Sequence, residues 1–546
     1  MVVGRLGWVM AAGIPLAVLT VFFVWPIAAL IGRGFFPDGI FTLAGIADVM
    51  GEPRTVRVVA ATLAQAAVGM LVSVAWGLPA AKLLYRTAFP GRGFLRALVT
   101  VPFVLPTVVV GVAFKSMVVV GGPLAGLGLD QTFTIVVAAL AFFNIAVVIR
   151  TVGGLWASLD DRPAQVAATL GTPPARVWWT ITLPALGPAI ASSAVLVFLF
   201  CASAYGVVMV LGGLGYATIE TEIWFRTNQL LDLSGAAALS VVQIVVVTAS
   251  LLVANRLQTR LSRAQRLRTE GRHIPRWRAE RDWAVTLVTG LLALFIVVPL
   301  AELTARSLTT ATGWGFDHYR SLLAGTDTLA VPAAVALGNS LRTAGLATVL
   351  AVGLGVLVSL VVSRRPDSAL GRRLLDGLDA AFMLPLGVSA VTVGFGFLIA
   401  LNRPPLDLRT SLVLIPIAQA IVALPLVLRV LLPVLRAIDP KLREAAAVLG
   451  ASPGRVLATI DLAFLTRGLG LAIGFAFATS LGEFGATSFL ARPDQPTLPV
   501  LVFRLIGRPG LENQGTAMAA AVVLAGFTVA VMALAERMRP REVTAW

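Results

Sequence analysis

The groups able to ionise, ligate a metal or attack a bond are few in this chain of 546 residues, and their spacing excludes most chemistry. Its lysines are Lys82, Lys115 and Lys441, which follow Ala81, Phe114 and Pro440. A phosphate-binding Walker loop needs a lysine directly after a glycine, so the chain is not itself an ATPase. Cys201 has no intrachain disulfide partner, and with His273 and His318 it forms no metal cluster at loop or helix spacing. It reads as a small apolar residue packed in a helix. The scattered Ser, Asp and His residues make no triad, so no enzyme is expected. One charged group stands out. Glu483 lies in the apolar run FATSLGEFGATSFL, where insertion scales charge a carboxylate about 2.5–3.5 kcal/mol. It therefore either faces a functional interior or is held by a structural partner such as a backbone amide or a serine. Phe484 and Gly485 follow it, and an intramembrane carboxylate beside aromatic rings suits a cationic, ring-bearing ligand.

The elements that position this residue are set by a duplication. The segment from Leu159 to Leu183, LDDRPAQVAATLGTPPARVWWTITL, recurs at Ile438 to Leu462 as IDPKLREAAAVLGASPGRVLATIDL, displaced by 279 positions without a gap and with 11 of 25 positions identical. Each copy reads as a short Ala-rich helix stopped at a glycine, Gly171 or Gly450, and a second helix opened by Pro174 or Pro453, since glycine permits a left-handed cap and proline suits a first turn. The same displacement pairs Ser203, Ala204, Tyr205 and Gly206 with Gly482, Glu483, Phe484 and Gly485, and the stretch from Thr218 to Trp224 with that from Thr497 to Phe503. A period near half the length implies two homologous domains rather than a solenoid.

With 58% hydrophobic and 13% charged residues and a mean hydropathy of +0.90, the chain has the composition of a polytopic membrane protein. A spanning helix takes about 20 apolar residues. Twelve such runs are expected, near 8–31, 58–84, 97–120, 133–156, 187–211 and 236–255, then 284–304, 339–362, 378–401, 411–435, 468–490 and 516–535. The domains are thus 1–255 and 283–546, joined by an Arg-rich linker, 256–282. The net charge of +16 is mostly arginine, concentrated in the loops at 82–96 and 364–376, the linker and the tail, whereas the loop at 121–132 has no positive residue. The positive-inside rule then predicts cytoplasmic termini and cytoplasmic repeated loops. The linker reads as a topology anchor touching lipid headgroups, and no nucleic-acid module is visible.

The paired Ala-Ala-x-Leu-Gly loops, each placed between the fourth and fifth helix of its half, resemble the EAA loops of type I binding-protein-dependent ABC importers. That resemblance implies an all-α permease fold and no cofactor on this chain. It also implies two copies of an ATPase subunit carrying ATP and Mg, and an extracytoplasmic substrate-binding protein in a bacterial inner membrane. The coupling residues would be Gln165, Ala167, Ala168, Gly171, Pro174 and Arg176 in the first loop and Glu444, Ala445, Ala446, Gly450, Pro453 and Arg455 in the second. The first loop departs from the family pattern by carrying Gln165 where the second has Glu444, so Glu444 is expected to be the stronger anchor. Ser203, Tyr205, Gly206, Glu483, Phe484 and Gly485 would line the path. The stretches ATIETEIW, TSLGEFG and TLPVLVF resemble fused permeases for thiamine. Ferric-iron permeases share much of this, and LGEFGA also resembles molybdate and sulfate permeases. A secondary transporter also offers six plus six helices but has no reason to repeat a cytoplasmic helix-turn-helix, and the remaining alternative is a membrane scaffold.

Overall fold

The apolar runs form helices that satisfy their own backbone groups, as spans in hydrocarbon must. The computed structural model describes residues 2–36, 44–213, 215–261, 275–310, 313–324, 331–364, 368–402, 407–408 and 411–537. Most of the linker (262–274), Arg365 and the tail from 538 onward, on which part of the topology argument rests, lie outside the described residues. Among the described residues ten helices are long and apolar enough to cross a membrane, or twelve when each of two bent pairs is one span. Each half contributes five of these helices and one bent pair, matching the duplication. A hairpin of Thr309–Thr310 with Gly313–Trp314, paired Thr309 to Trp314, departs from the otherwise all-helical plan.

Four expected spans are not straight. The run at 97–120 is Arg92–Val104 followed by Thr107–Val118, bent by 102°, and the run at 378–401 is Ala369–Gly387 followed by Ala390–Ala400, bent by 97°. Proline explains the first bend: Pro106 forces Leu105 into extended backbone and then caps the following helix. At the second bend, Pro385 and the extended Val388 precede Ser389, whose hydroxyl caps the next helix at Val391. The runs at 187–211 and 468–490 also break. Their long helices stop at Ala202 and Leu481, and the chain resumes as Gly206–Leu211 and Thr487–Leu490.

The first helices of the two halves are exchanged. Phe22, in the first span, packs on Phe397 of the second half with ring centroids 6.3 Å apart and planes tilted by 50°. Reciprocally, Phe295 in Ala279–Ser307 packs on Trp76 and Phe114 of the first half, at 5.3 and 5.9 Å. The sequence halves are therefore intertwined rather than side by side.

Candidate functional site

The two repeated loops fold alike. The first is Arg162–Thr169 followed by Pro174–Val177, and the second is Pro440–Val448 followed by Pro453–Val456. Gly171 and Gly450 sit at φ +80° and +81°, where a side chain would be strained. Behind each glycine the next amide closes the helix with the same bond, Thr172 to the Ala167 carbonyl at 3.0 Å and Ala451 to that of Ala446 at 2.9 Å. This is a Schellman cap built twice. Asp160 and Asp439 each accept an amide two residues on, from Arg162 and Lys441. The second short helix is not separate, contrary to the sequence reading. It runs through one π turn into the fifth span, giving continuous helices Pro174–Ala202 and Pro453–Leu481.

Both arms lie at one end of the bundle. Trp277 and Pro275, at the end of the linker, exchange backbone bonds with Ala88, and nearby Arg86 grips Asp161 of the first arm at 2.5 Å. From the linker, Ala279–Ser307 runs away and Ala333–Val362 returns, and Arg364 just past its end holds Asp461 beside the second arm at 2.6 Å. The arm tips are apolar yet open to solvent: Leu170 is 80% exposed, Val448 88% and Leu449 87%. Gln165, Ala168, Pro174, Arg176, Glu444, Ala445, Pro453 and Arg455 are exposed, while Ala167 and Ala446 are half-buried under the helix. Exposed apolar tips on two equivalent arms mark a docking surface.

The wiring behind the arms differs. Asp461, fully buried, accepts from Arg364 on one side and from Arg443 of the arm helix at 2.8 Å on the other. The first arm has Thr182 in place of Asp461 and Ala164 in place of Arg443, and relies on the half-exposed Arg86–Asp161 pair and on Trp156 against Trp178, 5.6 Å apart.

The expected path residues meet where the halves touch. Tyr205 stacks on Phe484 with centroids 5.2 Å apart and planes at 22°, and its hydroxyl bonds Ser488 at 3.0 Å. Trp224 meets Phe503 edge-on at 6.0 Å. Each aromatic pair joins a residue to its own equivalent in the other half, and equivalents can touch only on the axis relating the halves. Phe484 also packs on Phe503 at 5.3 Å, so two aromatic layers close this axis. The glycines let each half's own segments close in around these rings: a Cβ on Gly206 would fall 2.3 Å from Thr107 Oγ1 and 3.5 Å from Phe484 Cδ1, and one on Gly485 2.9 Å from Ala390 Cβ. Ser203 is spent on its own helix, bonding the Leu199 carbonyl at 2.8 Å.

Glu483 is buried and has the structural partners foreseen as one alternative. Its oxygens accept the amides of Ala486 and Thr487 at 2.7 and 3.0 Å and the Thr487 hydroxyl, capping the turn after the break. The site also contains residues that sequence reasoning did not single out. Glu220, on the helix Ile219–Asn228, is fully buried and accepts from Gln243 at 2.8 Å and from Ser389 of the other half at 2.7 Å. Its signal was the one used for Glu483, an acid in an apolar setting, here diluted by Glu222 two positions on. Lys115 and Glu302 form ion pairs, with Asp130 at 2.6 Å and with Arg306 at 2.7 Å respectively. Among the described residues no group of acids, His and Cys could hold a metal ion.

Residues 73–267 match the family model described as "Binding-protein-dependent transport system inner membrane component". The chain is 27% identical over 494 residues to the thiamine transport system permease protein of Brucella abortus, covering 88% of this chain and 87% of that protein. It is 28% identical over 473 residues to the protein of the same name from Escherichia coli, covering 84% and 85%. The sulfate transport system permease protein CysT of Salmonella typhimurium is 33% identical over 227 residues, which is 40% of this chain and 81% of that protein.

Proposed function

For this chain, which belongs to the family of inner membrane components of binding-protein-dependent transport systems and is the multi-pass permease of an ABC importer, we propose that the imported solute is thiamine. The observation that carries the proposal is the match to thiamine permeases along both halves. The chemistry of the seam supports it: Glu483 and four aromatic rings suit a cationic ring system. The sulfate permease matches only 40% of the chain, and Glu483, whose bonds come from amides and a hydroxyl, would repel an oxyanion. Ferric iron is the second reading, favoured by that same carboxylate.

In this reading two copies of an ATPase subunit hold ATP and Mg, and each seats one arm. The arms and both termini are cytoplasmic, and the binding protein docks at the opposite face. Because each arm continues as one helix into the fifth span, closure of the ATPase pair would turn the two spans against each other and part the aromatic layers.

The test is uptake of labelled thiamine into proteoliposomes holding the permease with its ATPase, with loaded binding protein outside. ATP-dependent accumulation is expected, unaffected by an ionophore. Accumulation driven by an ion gradient, or of sulfate instead, would refute the assignment.

A further inference from the structure

We infer that Glu220 is a second carboxylate of the transport path, sequestered while the seam is closed and presented to a cationic solute when it opens. The inference rests on the cargo reading above for the sign of the solute's charge. The helix Ile219–Asn228 carries two buried carboxylates and treats them differently. Glu222 is neutralised within its own half, by Arg54 at 2.9 Å and Arg226 at 3.4 Å, while Arg226 also holds Glu52 and Asp232. Glu220 has neutral donors instead, the amide of Gln243 and the hydroxyl of Ser389. A buried carboxylate without a cation is costly in any apolar interior. On the same amide that donates to Glu220, the carbonyl oxygen of Gln243 is buried and accepts nothing, leaving a second unused site for a positive or donor group.

The location fits. Ser389 belongs to the second half, at the bend between Ala369–Gly387 and Ala390–Ala400, so its bond to Glu220 crosses the seam, as the Tyr205–Ser488 bond does. Parting the halves breaks both and strips Glu220 of one of its two donors. Glu483 is close by: the Cβ position of Gly485 lies 2.9 Å from Ala390 Cβ and 3.3 Å from Glu483 Oε1. An opened seam therefore offers a cation one carboxylate from each half beside the stacked pair Tyr205 and Phe484. The equivalents of the two acids are Pro499 and Ala204, so neither acid is repeated in the other half.

The experiment compares Glu220→Gln, Glu220→Asp and Ser389→Ala with the parent complex of permease, ATPase and binding protein in proteoliposomes. The readout is the ratio of initial uptake of thiamine to that of its neutral isostere, in which a thiophene replaces the thiazolium. The ratio should fall about tenfold or more in Glu220→Gln, the effect of removing a charge that faces a cation in a low-dielectric site, and recover in part in Glu220→Asp. Ser389→Ala should keep the ratio but raise ATP hydrolysis in the absence of binding protein. An unchanged ratio in Glu220→Gln, or an equal loss of both solutes in Glu220→Gln and Glu220→Asp, overturns the inference and leaves thiamine transport standing. If the parent complex carries no thiamine, the cargo assignment fails separately. The inference then survives if ferric ion is carried and slowed by Glu220→Gln, and falls if sulfate is carried.

Discussion

Replacing Asp461 with asparagine isolates the connection between the second arm and the bundle. The substitution keeps shape and one acceptor oxygen but removes the charge that Arg364 approaches at 2.6 Å and Arg443 at 2.8 Å. Removing one partner of a fully buried ion pair costs about 3–5 kcal/mol. The Asp461 side chain is only 1% exposed, but those of Arg364 and Arg443 are 31% and 18% exposed, so water recovers part of the loss. An estimate of about 2–3 kcal/mol follows. Asp161→Asn is the control. Its pair with Arg86 is 35% exposed on the carboxylate side, and such pairs contribute about 1 kcal/mol or less. At roughly 2–4 °C per kcal/mol for a unit of 150–250 residues, about the size of one half, Asp461→Asn should lower the thermal midpoint by about 4–12 °C and Asp161→Asn by less than about 4 °C. In the assembled complex, Asp461→Asn should also reduce solute moved per ATP hydrolysed, because the arm helix loses its grip on the span beside it. Equal shifts in the two variants, or an unaltered transport stoichiometry in Asp461→Asn, would refute the idea that this carboxylate is the connection.

Two further outcomes follow from the same geometry. Glu444→Ala should weaken assembly with the ATPase about tenfold or more, the loss expected of a charge-assisted bond, whereas Gln165→Ala should change it by a few-fold at most; equal dissociation rates in a pull-down time course would remove the asymmetry. Tyr205→Ala and Phe484→Ala each remove one member of the stacked pair on the axis, so either should give a thiamine leak without ATP in proteoliposomes. The double variant should leak little more than the worse single one, since the two rings form one layer, and additive leaks would place them in separate barriers.

The helical plan was readable from the sequence because periodicity and length are local properties, and the arms were readable because Gly171, Gly450, Pro174 and Pro453 each have one backbone role. The right-angle bends were readable in principle: Pro106 and Pro385 sit inside the runs taken as straight, and hydropathy averaged over a window passed over them. The continuity of each arm with the fifth span was hidden because Pro174 and Pro453 look like starts of separate helices, and a helix start is also what a long span needs. The exchanged first helices and the Asp461 clamp depend on contacts between segments far apart in the chain, which composition does not encode. Glu483 was correctly marked as buried in an apolar run, yet whether its oxygens face cargo or cap Ala486 and Thr487 is set by the break after Leu481, and periodicity does not show that break.

The duplication itself offers a way to find the axis. Residues separated by the repeat displacement can meet only on the pseudo-twofold, so two large rings at equivalent positions, Tyr205 with Phe484 and Trp224 with Phe503, are candidates for mutual contact before any coordinates exist. The charged positions behave in the opposite way. Glu483 answers to Ala204, Glu220 to Pro499, Glu444 to Gln165, Asp461 to Thr182 and Arg443 to Ala164. The apolar frame and the caps have therefore kept their symmetry while these charges have lost it, from the arms to the seam. A path for a twofold-symmetric ion would gain nothing from that loss. A solute with its charge at one end and a neutral ring at the other meets different requirements on the two sides of the axis, and the placement of Glu220 and Glu483 on non-equivalent positions supplies them.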